Sequence, residues 1–517
     1  MKKMSIKNIA ALSLITLVIG GAGCAKIDQF GTTNQNPNGI TTPVTSALLT
    51  NVLSGLGGFG TNNRTLLYPQ LIAENQYTDA SLYSLPQLEM GGTYSGPLQD
   101  LQTIIDYNSD PKTAGTASGN GSNANQISIA RILKAFLFWY TTDRWGDVPY
   151  SEALKGAANA APKFDLQEDI YFGLIADVKA AVAGFDAGGP IKGDIIYGGN
   201  IGAWKKLGNS LRMLMAMRLT KRYPAAGGKA AVEFADAAAN PAGYISSNAD
   251  NFTLSFPGGS FKNTWYLTYE TRDDYASSKT LGDVLTGLGD TRSTVYGTNS
   301  IMFAYGLTRD LAIAFGNAVG NGQSRVLALS KRTESSPIYI IPAATVMLAR
   351  AEACERGWIA GGTAAAEADY NSAVALSFAQ WGVTLPAGYL TGPANYQTGA
   401  GVLAAPGTGG IGATPAPYDN FRVASNNVQD AATTTKLARI ALQRWIAAFP
   451  NGNEAWAEWR RTGVPNLSGT RFATNAGGKI VRRYVYGVND YNFNNAQTKA
   501  AAARISGGDT QDGPRQS

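Results

Sequence analysis

The chain of 517 residues has no histidine and only two cysteines, Cys24 and Cys354. The lack of an imidazole excludes Ser-His-Asp and Cys-His catalysis, and it excludes zinc sites that depend on histidine. Two isolated cysteines provide neither a thiolate metal cluster nor a CxxC redox pair. We therefore expect no metal and no cofactor, and only carboxylates remain for acid–base chemistry.

Charged residues are scarce as well, at 15% of the chain against about 25% in typical domains. The formal net charge of +6 falls to +3 when residues 1–23, which hold three lysines and no acidic residue, are removed. A charge this small indicates that nucleic acid is not a partner. The abundant neutral polar residues predict a surface suited to neutral polar ligands.

Residues 1–23 are typical of an export signal. They combine early lysines, an apolar segment at residues 9–19 that is too short to cross a bilayer, and small residues directly before Cys24. Such a leader resembles a bacterial lipoprotein signal, in which Cys24 would be acylated and would anchor the mature chain to a membrane. The alternative is an ordinary secretory peptide followed by an incidental cysteine.

Residues 24–43 contain few apolar side chains and predict a tether, and residues 44–517 form the body. Apolar residues recur at helical spacing in residues 126–142 and 204–221, and Asp165 is placed to cap a further helix. Between Pro342 and Gly382 two apolar stripes predict a helical hairpin of about the length of a tetratricopeptide unit, although no second copy repeats its sequence.

Other segments lack a helical period. Residues 109–126 and 399–429 are rich in small and polar residues, so we expect long surface loops there. Residues 244–341 hold short aromatic and β-branched runs broken by glycine, which predict loops with small strands. The predicted fold is mostly α, with tetratricopeptide-like helix pairs, long irregular loops and a few short strands.

Two more helices are predicted near the carboxyl end, one at residues 437–449 and one that Asn453 caps. The second places Trp456, Trp459 and Arg460 on one face. These two rings either stack on sugars or lie in the core with arginine against them, and we favour the second interpretation.

The run QRWIAAFPNGNEAWAEWRRTG at residues 443–463 resembles the carboxyl-terminal signature of the SusD/RagB-like nutrient-binding outer-membrane lipoproteins. Residues 144–153, 209–219 and 348–358 resemble further segments of that family in the same order, so that the similarity covers roughly residues 24–490. The resemblance implies a helical, non-enzymatic protein at the cell surface. It also implies that the protein binds oligosaccharides or oligopeptides and delivers them to a SusC-like TonB-dependent outer-membrane transporter.

Binding residues differ between branches of that family, so we predict the ligand site from chemistry alone. Sugars stack their CH faces on aromatic rings, and their hydroxyl groups form hydrogen bonds with polar side chains. Two aromatic segments, within residues 60–110 and 244–341, suit that role. The candidate residues are Tyr77, Asp79, Tyr83, Tyr94, Trp265, Tyr266, Tyr269, Arg272, Asp274 and Tyr275.

Two other functions stay open at the level of the sequence. Asp273 with Asp274, and Glu454 with Glu458, are carboxylate pairs of the kind that a glycoside hydrolase uses. A helical-repeat scaffold that binds only proteins is the other alternative. The GxGxxG match at residues 407–412 has no strand before it and no helix after it, so it does not predict a phosphate site.

Overall fold

The structure, a computed structural model, describes residues 42–398 and 436–511, and most of them lie in helices. We name the helices of nine or more residues α1 to α13. They are α1 Thr45–Gly60, α2 Gln99–Ser109, α3 Asn123–Trp145, α4 Gln167–Ala183, α5 Ile201–Arg218, α6 Lys229–Ala238, α7 Lys279–Gly287, α8 Arg309–Ala318, α9 Ala343–Glu355, α10 Gly362–Gln380, α11 Lys436–Ala447, α12 Gly452–Thr462 and α13 Asn495–Ala503. Shorter helices are Asn63–Leu67, Gly91–Thr93, Ala114–Ala117, Thr264–Thr268, Ser293–Tyr296 and Val488–Phe493.

The strands are few and short. They are β1 Ile72–Glu74, β2 Val148–Pro149, β3 Phe164–Asp165, β4 Phe252–Leu254, β5 Tyr275–Ser277 and β6 Ile338–Ile341. They form three antiparallel two-stranded ribbons, β1 with β5, β2 with β3 and β4 with β6. Ribbons of this size do not build a core of their own, so here they join loops to the helical body.

The helices pack as consecutive pairs. Each helix from α2 to α5 contacts the helix that follows it in the chain. Helix α9 packs along α10 and α11, and α11 contacts α12. Contacts between α5 and α9 join the two groups. This arrangement confirms the predicted mostly helical fold with tetratricopeptide-like pairs.

Helix α3 shows why the sequence predicts these elements well. Ser122 accepts a hydrogen bond from Asn125 N at its start, and Gly146 follows its end with a φ of 89° that suits glycine. Its predicted apolar face, Ile129 to Tyr140, is buried, but so is most of the opposite face. A helix buried on nearly all sides belongs to the centre of a bundle.

The aromatic corner near the carboxyl end is also as predicted. Trp456 and Trp459 are buried, and the guanidinium of Arg460 lies 3.7 Å from a ring centroid of Trp456. The rings therefore stabilise the core and are closed to ligands.

Four local predictions are wrong. Residues 244–341 are not only loops with small strands, because they also contain helices α7 and α8. Residues 109–126 are not one long loop, because they contain the helix Ala114–Ala117, a 3-10 turn and the start of α3. Asn451, not Asn453, caps α12 by accepting from Glu454 N, while Asn453 accepts from the guanidinium of Arg144 at 2.7 Å. Asp165 accepts from Tyr150 N and Ser151 N and makes no cap on α4. Residues 399–429, the leader, Cys24 and most of the tether lie outside the described residues.

Candidate functional site

The ribbon of β1 and β5 brings together two aromatic segments that lie about two hundred residues apart in the sequence. Glu74 pairs with Tyr275, and just beyond this pair Asn75 N donates to Asp274 O at 3.1 Å. The chain then leaves the ribbon toward Tyr77 on one side and arrives from Arg272 on the other. The two predicted segments therefore meet at one end of the ribbon.

Tyr77 is the exposed aromatic residue at this end, with half of its surface accessible. The guanidinium carbons of Arg272 and Arg309 lie 5.3 and 5.6 Å from its ring centroid. Arg272 also pairs with Asp274 at 2.7 Å. Exposed Asp79 follows Tyr77 by two residues. We call Tyr77, Asp79, Arg272, Asp274 and Arg309 the Tyr77 patch.

The chemistry of this patch suits a neutral, hydroxyl-rich ligand. The ring of Tyr77 offers an apolar surface with a polar end, and the arginines and aspartates offer donors and acceptors of hydrogen bonds beside it. Two positive and two negative groups balance, so the patch has no net charge that would select an ion.

A buried carboxyl group supports the loop that carries Tyr77. Glu74 accepts a hydrogen bond from Ser81 N at 2.8 Å and is 8% exposed. Burial raises its pKa to about 7, and the bond from Ser81 and the charge of Arg64 offset part of that rise. At the end of the loop, buried Tyr83 has a left-handed φ of 62° and returns the chain to the core.

The remaining candidates from the second segment mostly serve packing. Trp265 is buried and stacks on Tyr269 with 6.5 Å between ring centroids. The hydroxyl of Tyr269 donates to Tyr275 O and accepts from Val326 N, both at 2.9 Å. Half-buried Tyr266 has the ammonium of Lys262 5.1 Å from its ring centroid. Tyr275 is half-buried within β5.

Tyr94 lies with a different group of residues. It lines an open depression of about 510 Å³ together with Pro149, Phe164 and Phe493. Its hydroxyl donates to Pro149 O at 2.7 Å. The structure therefore does not place Tyr94 in the Tyr77 patch.

Arg309 is the member of the patch that sequence reasoning missed. It is the first residue of α8, and nothing in its own segment marks it as a ligand-binding residue. Only the fold brings its side chain to Tyr77. The available signal in the sequence was an arginine inside residues 244–341, and it is a weak one.

The carboxylates that suggested hydrolysis form ion pairs with arginines. Asp273 pairs with Arg325 at 2.9 Å and Asp274 with Arg272. Glu454 and Glu458 are buried in α12 among arginines. Within residues 42–398 and 436–511 no cluster of three or more His, Cys, Asp or Glu side chains is placed to hold a metal ion. In the same ranges no helix has the length and hydropathy needed to cross a membrane.

Comparison with known families identifies the helical chain. The family model SusD-like, described as starch-binding and associating with the outer membrane, matches residues 37–487. The chain belongs to the SusD-like family. The four sequence stretches that suggested this family therefore identified it correctly.

Solved SusD homologues share the fold of this SusD-like chain. One from Bacteroides uniformis is 24% identical with a TM-score of 0.72, and covers 91% of this chain and 98% of its own. A chitin-binding homologue from Flavobacterium johnsoniae is 24% identical with a TM-score of 0.70, at 90% and 96% coverage. A homologue from Bacteroides ovatus is 22% identical with a TM-score of 0.66. Among curated proteins, no match to the sequence was found.

Proposed function

We propose that this SusD-like chain is a lipid-anchored protein at the outer surface of the outer membrane that binds oligosaccharides through the Tyr77 patch. It delivers them, uncut, to a SusC-like TonB-dependent transporter. The observation that carries the proposal is the exposed ring of Tyr77 with two guanidinium groups within 6 Å of its centroid. The Tyr77 patch is made of two loop segments at the end of the β1–β5 ribbon and the first residue of α8.

Three lines of support favour a glycan over a peptide. The matching family is described as starch-binding, and a homologue of the same fold binds chitin. The patch has no net charge, and so lacks an electrostatic preference for charged peptide termini. An exposed tyrosine beside paired Arg and Asp groups offers what a sugar ring needs, a stacking face and bidentate hydrogen-bond partners.

The first test is isothermal titration calorimetry of the purified mature chain with malto-oligosaccharides and chito-oligosaccharides. We expect binding to at least one of these series. Tyr77→Ala removes the stacking face and Arg272→Ala removes a donor, so each is expected to weaken binding by roughly tenfold or more. Product analysis of the same mixtures should show intact oligosaccharide.

Tyr107→Ala is the matched control, because Tyr107 is a part-exposed tyrosine on α2 outside the patch. It should bind as the wild type does. Equal affinity of a folded Tyr77→Ala variant and the wild type would remove the Tyr77 patch from the site. Release of shortened sugars would contradict the proposal that the protein only binds.

A further inference from the structure

A second concave surface lies between α7, the short helix Ser293–Tyr296 and α8. It is an open cleft of about 610 Å³, which is within the size range of small-molecule sites. Its lining includes Lys279, Asp283, Met302 and Phe315. None of the candidates from sequence reasoning belongs to it.

The lining combines an apolar floor with neutral polar walls. Met302 and Phe315 form the floor and are nearly buried. On one wall, Lys279 Nζ lies 2.6 Å from both carboxylate oxygens of Asp283, so this pair adds no net charge. The cleft therefore favours an uncharged ligand with both apolar and polar surface.

Three hydroxyl groups around the cleft are available to a ligand. Among the described residues, the side chains of Thr286, Ser293 and Ser300 have no hydrogen-bond partner. Each hydroxyl can both donate and accept. Three such groups around one apolar floor match the mixed donors and acceptors of a sugar better than they match an anion or a cation.

Close packing keeps the cleft in shape. A Cβ atom at Gly282 would lie 2.5 Å from Met302 Cγ, and one at Gly297 would lie 2.1 Å from Ser324 Oγ. Both glycines are therefore required for the walls to approach this closely. A cleft with packed walls is preformed, which lowers the cost of binding.

Helix α8 connects the cleft with the Tyr77 patch. Arg309, its first residue, contributes to the patch, and Phe315 contributes to the floor of the cleft. With a rise of about 1.5 Å per residue, these positions are about 9 Å apart along the helix axis. The two surfaces therefore lie near each other along α8, although Arg309 and Phe315 project from different sides of the helix.

We propose that this cleft is a second carbohydrate subsite, which binds a further sugar of the chain held at the Tyr77 patch. The inference rests on the proposed function and adds that affinity depends on chain length. A short oligosaccharide occupies the Tyr77 patch only. A longer oligosaccharide contacts both surfaces, because the sugars bound at the Tyr77 patch hold the rest of the chain at a high effective concentration near the cleft.

The test is calorimetry with malto-oligosaccharides and chito-oligosaccharides from the disaccharide upward. In the wild type the long members are expected to bind roughly tenfold or more tightly than the short ones. Ser300→Trp fills the cleft and should abolish this gain, leaving the affinity for short members unchanged. The triple variant Thr286→Ala, Ser293→Ala, Ser300→Ala reduces the gain without adding bulk. It keeps the inference testable if Ser300→Trp does not fold.

Ser118→Trp is the control for added bulk, because Ser118 is exposed on a short turn outside both surfaces. It should keep the length dependence. If Ser300→Trp or the triple variant binds long members as tightly as the wild type does, while Tyr77→Ala weakens them, the subsite is refuted and the proposed function stands. If the wild type binds no member of either series, both proposals fail.

Discussion

At the scale of single residues, Glu74 orders a surface loop, but burial of its carboxyl group lowers the stability of the protein when that group is charged. It holds the loop of the Tyr77 patch through Ser81 N, yet it is almost fully buried. Burial raises its pKa from 4.5 to about 7. Because the folded chain binds this proton more tightly than the unfolded chain does, Glu74 makes the protein less stable as pH rises from 4.5 through 7.

Glu74→Gln keeps an acceptor for Ser81 N and removes the ionisable group. At pH 8 we expect the variant to be more stable than the wild type by up to roughly 3 kcal/mol. At pH 4 both side chains are neutral, so the two stabilities should converge. Urea denaturation followed by tryptophan fluorescence at the two pH values measures this difference.

Glu89→Gln, at an exposed position, is the control and should change stability by no more than about 0.5 kcal/mol. A Glu74→Gln variant that is less stable than the wild type at pH 8 would show that Glu74 is needed as a charged group.

Sequence reasoning singles out four of the five residues of the Tyr77 patch, and the reason is chemical. Tyr77, Asp79, Arg272 and Asp274 belong to segments whose aromatic and polar composition is unusual enough to be noticed. Composition does not report exposure, however. Trp265 has the same signal as Tyr77 and lies in the core, because a loop ring packs inward whenever the fold provides a pocket for it. Whether the patch binds ligand stays a prediction.

At the scale of helices, buried charges join elements that are far apart in the sequence. Glu352 of α9 pairs with Arg461 of α12 at 2.6 Å and with Arg444 of α11 at 3.4 Å. Arg444 and Arg461 also pair with Glu458, at 3.0 and 2.6 Å. Arg218 of α5 reaches Glu454 at 2.8 Å. We call these residues the buried charge network, and all of them are nearly inaccessible to solvent.

The buried charge network explains why the family resemblance is visible in the sequence. Its six members lie in three of the four stretches that carry the resemblance. A buried ion must keep its partner, since an unpaired one costs several kcal/mol. Such residues form a recognisable pattern even where the surface loops differ, so the pattern identifies the frame and does not identify the ligand.

Glu352→Gln removes one charge from the network and leaves Arg461 and Arg444 less compensated. We expect a loss of about 3–5 kcal/mol in the free energy of unfolding near neutral pH. Burial alone raises the pKa of Glu352, but the facing arginines outweigh it and hold the pKa below its ordinary value. The stability that Glu352 contributes is therefore present above pH 4.5 and is lost as pH falls further.

Urea denaturation at pH 7 and at acidic pH tests this expectation, and the gap between wild type and variant should narrow in acid. Glu367→Gln on α10 is the control, because among the described residues the Glu367 carboxylate bonds only to the exposed Gln397 side chain. This substitution is expected to cost about 0.5 kcal/mol or less. A Glu352→Gln variant as stable as Glu367→Gln would show that the network is dispensable.

Helix existence was predictable where the apolar period is long, as in α3, α9 and α10. It was missed for α7 and α8, which are only nine and ten residues long. Helix starts were less predictable, since a cap depends on which of two nearby asparagines faces the helix. Asn451 caps α12, and Asn453 accepts a hydrogen bond from Arg144 of α3. That contact joins residues about three hundred positions apart and has no local signal in the sequence.

At the scale of the whole molecule, the proposed function needs the body to be held at a membrane by its amino terminus. Without the predicted leader, residues 1–23, the net charge is only +3, which provides little attraction to an anionic surface. Under this proposal the acyl chains on Cys24 carry the attachment, and two or more chains are needed for it to be stable.

Cys24→Ala is therefore expected to release the protein from the outer-membrane fraction while leaving its body folded. Wild-type protein should fractionate with the outer membrane, show an acyl mass on its amino-terminal peptide, and bring a TonB-dependent barrel with it when purified in mild detergent. Cys354→Ala is the matched control, since it removes the other thiol, which is buried in α9, and should stay with the membrane. If Cys24→Ala remains membrane-bound, or if wild-type Cys24 carries no acyl mass, the anchor lies elsewhere and the proposed surface location loses its physical basis.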